Sequence, residues 1–162
     1  MSSLATFAQA PANGDCGSAK NLCYLGSIGP QRNNNDISPD GNYIGCGGGP
    51  IYKGVWYAFQ ANAGGLANIN FTGISAGVTL KLEVYKDDMA GGCSDKSNWS
   101  SVICETTGGT SSYTTSNFNV TSGFQYYVVV GILTPNPIGA GNSQFNIRIN
   151  NVGLNAVMQS PT

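Results

Sequence analysis

The chain has 162 residues, of which only 9% are charged, and its formal net charge is −1. That length suits one domain able to bury about two thirds of its unfolded surface. The seven Lys and Arg are scattered singly and form no basic patch for nucleic acid or anionic membrane, and no apolar run of about eighteen residues exists to span a bilayer. Histidine is absent. This removes the commonest general base, the commonest zinc ligand and every Ser-His or Cys-His nucleophile.

In chain order, residues 1–12 read as the small-residue tail of a signal peptide, with an A-x-A-like Thr6-Phe7-Ala8, or as an ordinary flexible N-terminus. The region 13–152 carries the alternation expected of a β-sandwich domain. Leu22-Cys23-Tyr24-Leu25 is a short apolar strand, followed by an Asn/Asp loop over 33–42. Val55, Tyr57 and Phe59 share one face of the next strand and Trp56 takes the other. Ala67, Ile69 and Phe71 alternate with Asn68, Asn70 and Thr72; Leu80, Leu82 and Val84 alternate with Lys81, Glu83 and Tyr85; Phe145, Ile147 and Ile149 alternate with Asn146, Arg148 and Asn150. Each reads as a half-buried antiparallel strand with one face in water. Tyr126-Tyr127-Val128-Val129-Val130 is apolar on both faces and reads as a central strand or an interface.

Gly-rich segments separate these runs, so the expectation is an all-β antiparallel sandwich, jelly-roll-like, with about eight or nine strands. Residues 153–162 lose the alternation and read as a linker to a downstream region.

Five cysteines without CxxC spacing suit disulfides of an oxidising compartment. Cys93 and Cys104 bracket a polar loop whose closure is worth about 3 kcal/mol in the chain-entropy model.

Asp15-Cys16, the strand at Leu22, the Asn/Asp loop, Cys46-Gly47 before Val55-Trp56-Tyr57-Ala58-Phe59, the 80–85 strand, and Gly123-Phe124-Gln125-Tyr126-Tyr127 follow one another in a recognisable order. In that order and spacing the chain resembles the bacterial pre-peptidase C-terminal (PPC-like) jelly-roll modules of secreted and surface proteins of the Bacteroidetes. It departs from them at Lys53-Gly54, where an acidic residue is frequent, and in the additional Cys23. The resemblance implies a Cys16–Cys46 pairing, which leaves Cys23 as a buried thiol. It also implies a noncatalytic module that attaches to polysaccharide or protein surfaces, calcium binding in some members, and export of the host protein by the type IX route.

The loops offer oxygen ligands for calcium at Asp36 and Asp40 in one place and at Asp87, Asp88 and Asp95 in another, although Asn and Asp are also ordinary turn residues. Trp99, in a polar loop, stands as an exposed binding platform or packs over a disulfide. Trp56 is a second core position or a second platform. A hydrolase would have to run on Glu83 and Glu105, which read as solvated surface carboxylates. The sequons at Asn70, Asn98 and Asn119 are expected by chance in an Asn/Thr-rich chain. The functional expectation is a noncatalytic adhesive or ligand-binding module, extracellular, with polysaccharide or protein partners. The alternative is a structural spacer or a surface subunit self-associating through strand edges, with the segment 4–12 completing a neighbour's sheet.

Overall fold

The computed structural model describes residues 13–22, 28–32, 51–88, 90–132, 143–152 and 158–159. Among them are eleven strands: β1 (Lys20–Asn21), β2 (Ile28–Arg32), β3 (Tyr52–Ala61), β4 (Gly65–Thr72), β5 (Leu80–Asp87), β6 (Trp99–Thr106), β7 (Ser112–Thr114), β8 (Phe118–Val120), β9 (Gln125–Ile132), β10 (Gln144–Val152) and β11 (Met158–Gln159). Nine are at least three residues long, and β1 and β11 have two each. They form an all-β, jelly-roll-like sandwich of two sheets. The first runs β1-β3-β9-β5-β6, with β11 also on β3; the second runs β2-β10-β4-β7, with β8 also on β4. Every described pairing is antiparallel except that of β1 with β3. Met158 faces Ala61 and Gln159 faces Gln60. At that point the segment read as a linker is therefore a strand of the first sheet.

The alternation in the sequence becomes the core between the sheets. Val55, Tyr57 and Phe59 from β3 meet Ala67, Ile69 and Phe71 from β4, Leu80, Leu82 and Val84 from β5, Tyr126, Val128 and Val130 from β9, and Phe145, Ile147 and Ile149 from β10. Phe59 and Tyr126 stack at 4.9 Å, and Phe145 meets Phe71 edge-on at 5.8 Å. Burying each such side chain contributes roughly 1.5–3 kcal/mol. β9 lies between β3 and β5, and both of its faces are covered. Tyr126, Val128 and Val130 are covered by the core between the sheets and Tyr127 and Val129 by a second buried cluster, which explains a strand apolar on both faces.

The two sheets differ on their outer faces. On the second sheet Asn68, Asn70, Thr72, Asn146 and Asn150 point away from the core and bond laterally, Asn150 donating to Asn68 and Asn68 to Asn117. Gly29 lies so close to Asn146 that a Cβ there would fall 1.7 Å from the Asn146 side chain, so glycine is required where β2 meets β10.

The first sheet is covered on its outer face as well. Trp56, Ala58, Tyr85, Trp99, Tyr127 and Val129 form a second buried cluster with Cys16 and Ile51. The expectation of a half-solvated β5 is corrected here: Lys81, Glu83 and Asp87 are buried along with Tyr85.

Candidate functional site: a cleft at the end of the first sheet

The site begins with strand register. Gln60 near the end of β3 lies opposite Gln125 at the start of β9, and Gln125 lies opposite Asp87 at the end of β5. Cross-strand partners share a face, and neighbouring strands are about 4.8 Å apart. Two carboxamides and a carboxylate therefore form one row across three strands. Ala58, Tyr127 and Tyr85 form the next row inward on the same face.

Above the polar row is a cleft of about 410 Å³, within the usual size of small-ligand sites. One wall comes from the turn after β5, with Asp88, Ala90 and Gly92; the other from Gly123 and Phe124 before β9.

The first wall is held by Asp87, whose buried carboxylate accepts hydrogen bonds from the backbone N–H groups of Gly91 (3.1 Å) and Gly92 (2.8 Å). Gly92 has φ +60°, a conformation natural to glycine, and Ala90 adopts φ 54° in the same reversal. On the floor the Gln125 amide donates to the Tyr127 hydroxyl, and the Gln60 amide donates to the Gly123 carbonyl at 3.2 Å. At the rim Lys86 Nζ lies 2.8 Å from Asp88 Oδ1 and 3.8 Å from the centre of the Phe124 ring. Hydrogen bonding from Lys86, and then from Ser100, holds the Asp88 carboxyl below the usual carboxylate range. Burial, and secondarily the Asp87 charge, pushes the Tyr127 phenol up.

Behind the cleft Tyr127 stacks on Trp99, with ring centres 4.5 Å apart, and Trp99 meets Trp56 edge-on at 6.1 Å. The two tryptophans are 5% and 1% exposed, so the exposed-platform readings of Trp99 and Trp56 are corrected. Trp99 is the first residue of β6, opposite Asp87, and its ring turns onto the outer face of the sheet. Lys96 Nζ stands 5.0 Å above the Trp56 ring.

The disulfide pairing is also corrected. Cys16 bonds to Cys93, across 77 positions, and both proposed pairs, Cys16–Cys46 and Cys93–Cys104, are replaced. Cys16 opens a 3₁₀ turn capped by Asp15, and Cys93 lies in the 3₁₀ turn Gly92–Ser94. Asn13 fixes the first turn beside β3: its carbonyl accepts from the Trp56 N–H, and its amide donates to the Trp56 carbonyl. The two turns thus converge over the tryptophans. Cys93 is thus taken by Cys16 and does not close the loop to Cys104, which lies within β6. Cys104 is itself disulfide-bonded, while Cys23 and Cys46 lie outside the described residues.

The acidic candidates among the described residues each have protein partners. Asp87 caps the 91–92 turn, Asp88 pairs with Lys86, and exposed Asp95 accepts from Ser97 and Asn98. Hydrogen bonding from Ser97 holds the Asp95 carboxyl low. Among the described residues no group of three or more Asp, Glu, Cys or His gathers as a metal site. Asp36 and Asp40 lie outside the described residues.

Glu83 and Glu105 do not form a catalytic pair either. Glu83 faces Cys104 across the ladder and Leu82 faces Glu105, which puts the two carboxylates on opposite faces. Glu83, expected in solvent, is 1% exposed, 3.7 Å from Lys81 Nζ, and accepts from the Tyr85 hydroxyl. Glu105 accepts from the Tyr113 hydroxyl and the Ser116 N–H.

The sequence reading overlooked Gln60, Gln125 and Phe124 as site residues. The available signal was a glutamine at the end of one apolar strand and another at the start of a second. Antiparallel pairing brings such ends together.

No family model and no curated protein matches the chain. Two similar solved structures are carbohydrate-binding modules: Xyl-CBM35 in complex with a glucuronic acid-containing disaccharide, and the CBM35 from Cellvibrio japonicus Abf62. The first is 16% identical over 77% of this chain and 87% of its own, with a TM-score of 0.37. The second is 17% identical over 85% and 99%, with a TM-score of 0.38. At those values nothing about this chain's ligand is inferred from them.

Proposed function

We propose that this chain is a noncatalytic ligand-binding module of a secreted or cell-surface protein, engaging a polysaccharide or protein surface at the cleft. The observation that carries this reading is the row Gln60–Gln125–Asp87 under an open cleft whose wall is held by backbone bonds to Asp87. Hydrogen-bonding groups fixed on strands and turned toward a cavity suit recognition. A general-acid and nucleophile pair is not what they make. The Cys16–Cys93 bridge supports an oxidising, extracellular setting. The PPC-like order of residues around Cys16 and Val55-Trp56-Tyr57 supports the same role.

The test is an array of polysaccharides and matrix proteins probed with the oxidised chain, with calcium and with chelator, using Gln125→Ala as the matched control. A hit weakened by Gln125→Ala supports the cleft. Hits that ignore it place the function elsewhere.

The second reading is assembly through strand edges. It is favoured by β6, an eight-residue strand at the end of the first sheet's order with β5 as its sheet neighbour among the described strands. The N-terminal segment expected to take part lies outside the described residues. Sedimentation as a concentration-dependent oligomer would favour this reading.

A further inference from the structure

We propose that the cleft selects neutral sugars and rejects acidic ones. This inference rests on the binding reading above and specifies the ligand class of the same site.

The first argument is charge. The charged side chains lining the cleft are Asp87 and Asp88, both carboxylates. The cation beside them, Lys86, is engaged on both sides, by Asp88 at 2.8 Å and by the Phe124 ring at 3.8 Å. A uronate or sulfate brought into the cleft meets two carboxylates balanced by one cation, so the local charge is net negative. Among the described lining residues it also finds no arginine fork of the kind that recognises carboxylates and phosphates bidentately.

The second argument is hydrogen-bond inventory. A carboxamide offers two donors and two acceptor lone pairs, and the Gln125 amide directs one donor to Tyr127. The Tyr127 hydroxyl accepts that bond and keeps its own proton to give. Donors and acceptors side by side along the row suit sugar hydroxyls, each of which both donates and accepts.

The third argument is the lack of an open aromatic platform at the site. Trp56 and Trp99 are buried, and Lys86 covers one face of the half-buried Phe124 ring. Hydrogen bonds, more than stacking, must therefore hold the ligand.

The experiment is calorimetric titration of the oxidised chain with neutral oligosaccharides (cello-, manno-, xylo- and galacto-hexaoses) and with oligogalacturonate and glucuronoxylan fragments. Near-UV dichroism verifies the fold of each variant. The expected result is binding of at least one neutral series, weakened about tenfold by Gln125→Ala, as removal of one or two hydrogen bonds predicts. Acidic fragments should bind at least tenfold more weakly, and Asp88→Asn should narrow that gap. If an acidic fragment binds as tightly as the neutral ones and is lost in Gln125→Ala, the selectivity is overturned and the cleft reading stands. Binding that Gln125→Ala leaves unchanged, or none in either class, overturns the cleft reading and this inference together.

Discussion

Trp99 is the residue whose placement most changes the picture. It lies in a stretch of Lys, Ser and Asn, where local polarity argues for exposure. Yet its ring stacks on Tyr127, meets Trp56 and Tyr85, and is covered from outside by Lys96. Its indole N–H is buried and finds no acceptor among the described residues, which offsets part of what the ring contributes. Trp99→Ala should lower the unfolding free energy by about 3–5 kcal/mol, and Trp99→Phe, which removes the unpartnered donor and keeps an aromatic ring, by clearly less. Equal losses in urea melts would contradict that account. Asp88 makes a prediction in pH. Its folded pKa lies below its unfolded one, because Lys86 and Ser100 bond the charged form. Its contribution is therefore present above about pH 4 and is lost as pH falls through the lowered value. The pair is partly exposed, so the effect is small. Thermal melts should show Asp88→Asn below wild type by about one to three degrees at pH 7, with the difference vanishing near pH 2.

Among elements, β5 departs furthest from its sequence pattern. Alternation correctly gave Leu80, Leu82 and Val84 to the core, but it also assigned Lys81 and Glu83 to water, and both are buried. Periodicity reports which residues share a face. It says nothing about whether a later turn will cover that face. Removing one member of a buried ion pair leaves the other charge desolvated. Lys81→Met should therefore cost about 3–5 kcal/mol, and the double variant Lys81→Met with Glu83→Leu should recover much of the loss in denaturant titrations. The Cys16–Cys93 link joins elements far apart in sequence. In the chain-entropy model a loop of that length contributes about 4.5 kcal/mol. Peptide mapping under non-reducing conditions should yield one cross-linked species containing Cys16 and Cys93, and Cys16→Ser with Cys93→Ser should lower stability by up to that amount.

At the scale of the molecule, the sandwich was legible because period-two alternation in β4 and β10 and the doubly apolar β9 leave few other ways to bury those side chains. The site was legible only in pieces. Asp87 was singled out as a calcium ligand, while its bonds to the backbone N–H groups of Gly91 and Gly92 belong to a turn that sequence does not draw. Gln60 and Gln125 are 65 positions apart and become neighbours only through the register of β3 with β9. The cysteine pairing failed for a related reason: Cys93–Cys104 rested on proximity in sequence and Cys16–Cys46 on the PPC-like resemblance, and neither registers which turns meet over the sheet. One further consequence follows from the tryptophan cluster. The chain has two tryptophans, and both lie in the cluster that includes Cys16, with Cys93 packed against it. A cystine beside an indole drains its excited state, so the oxidised protein should glow only dimly and brighten on reduction. Tyr127 touches Trp99 with its ring and lines the cleft. The molecule thus carries its own optical gauge, able to register an occupant of the cleft without any added dye.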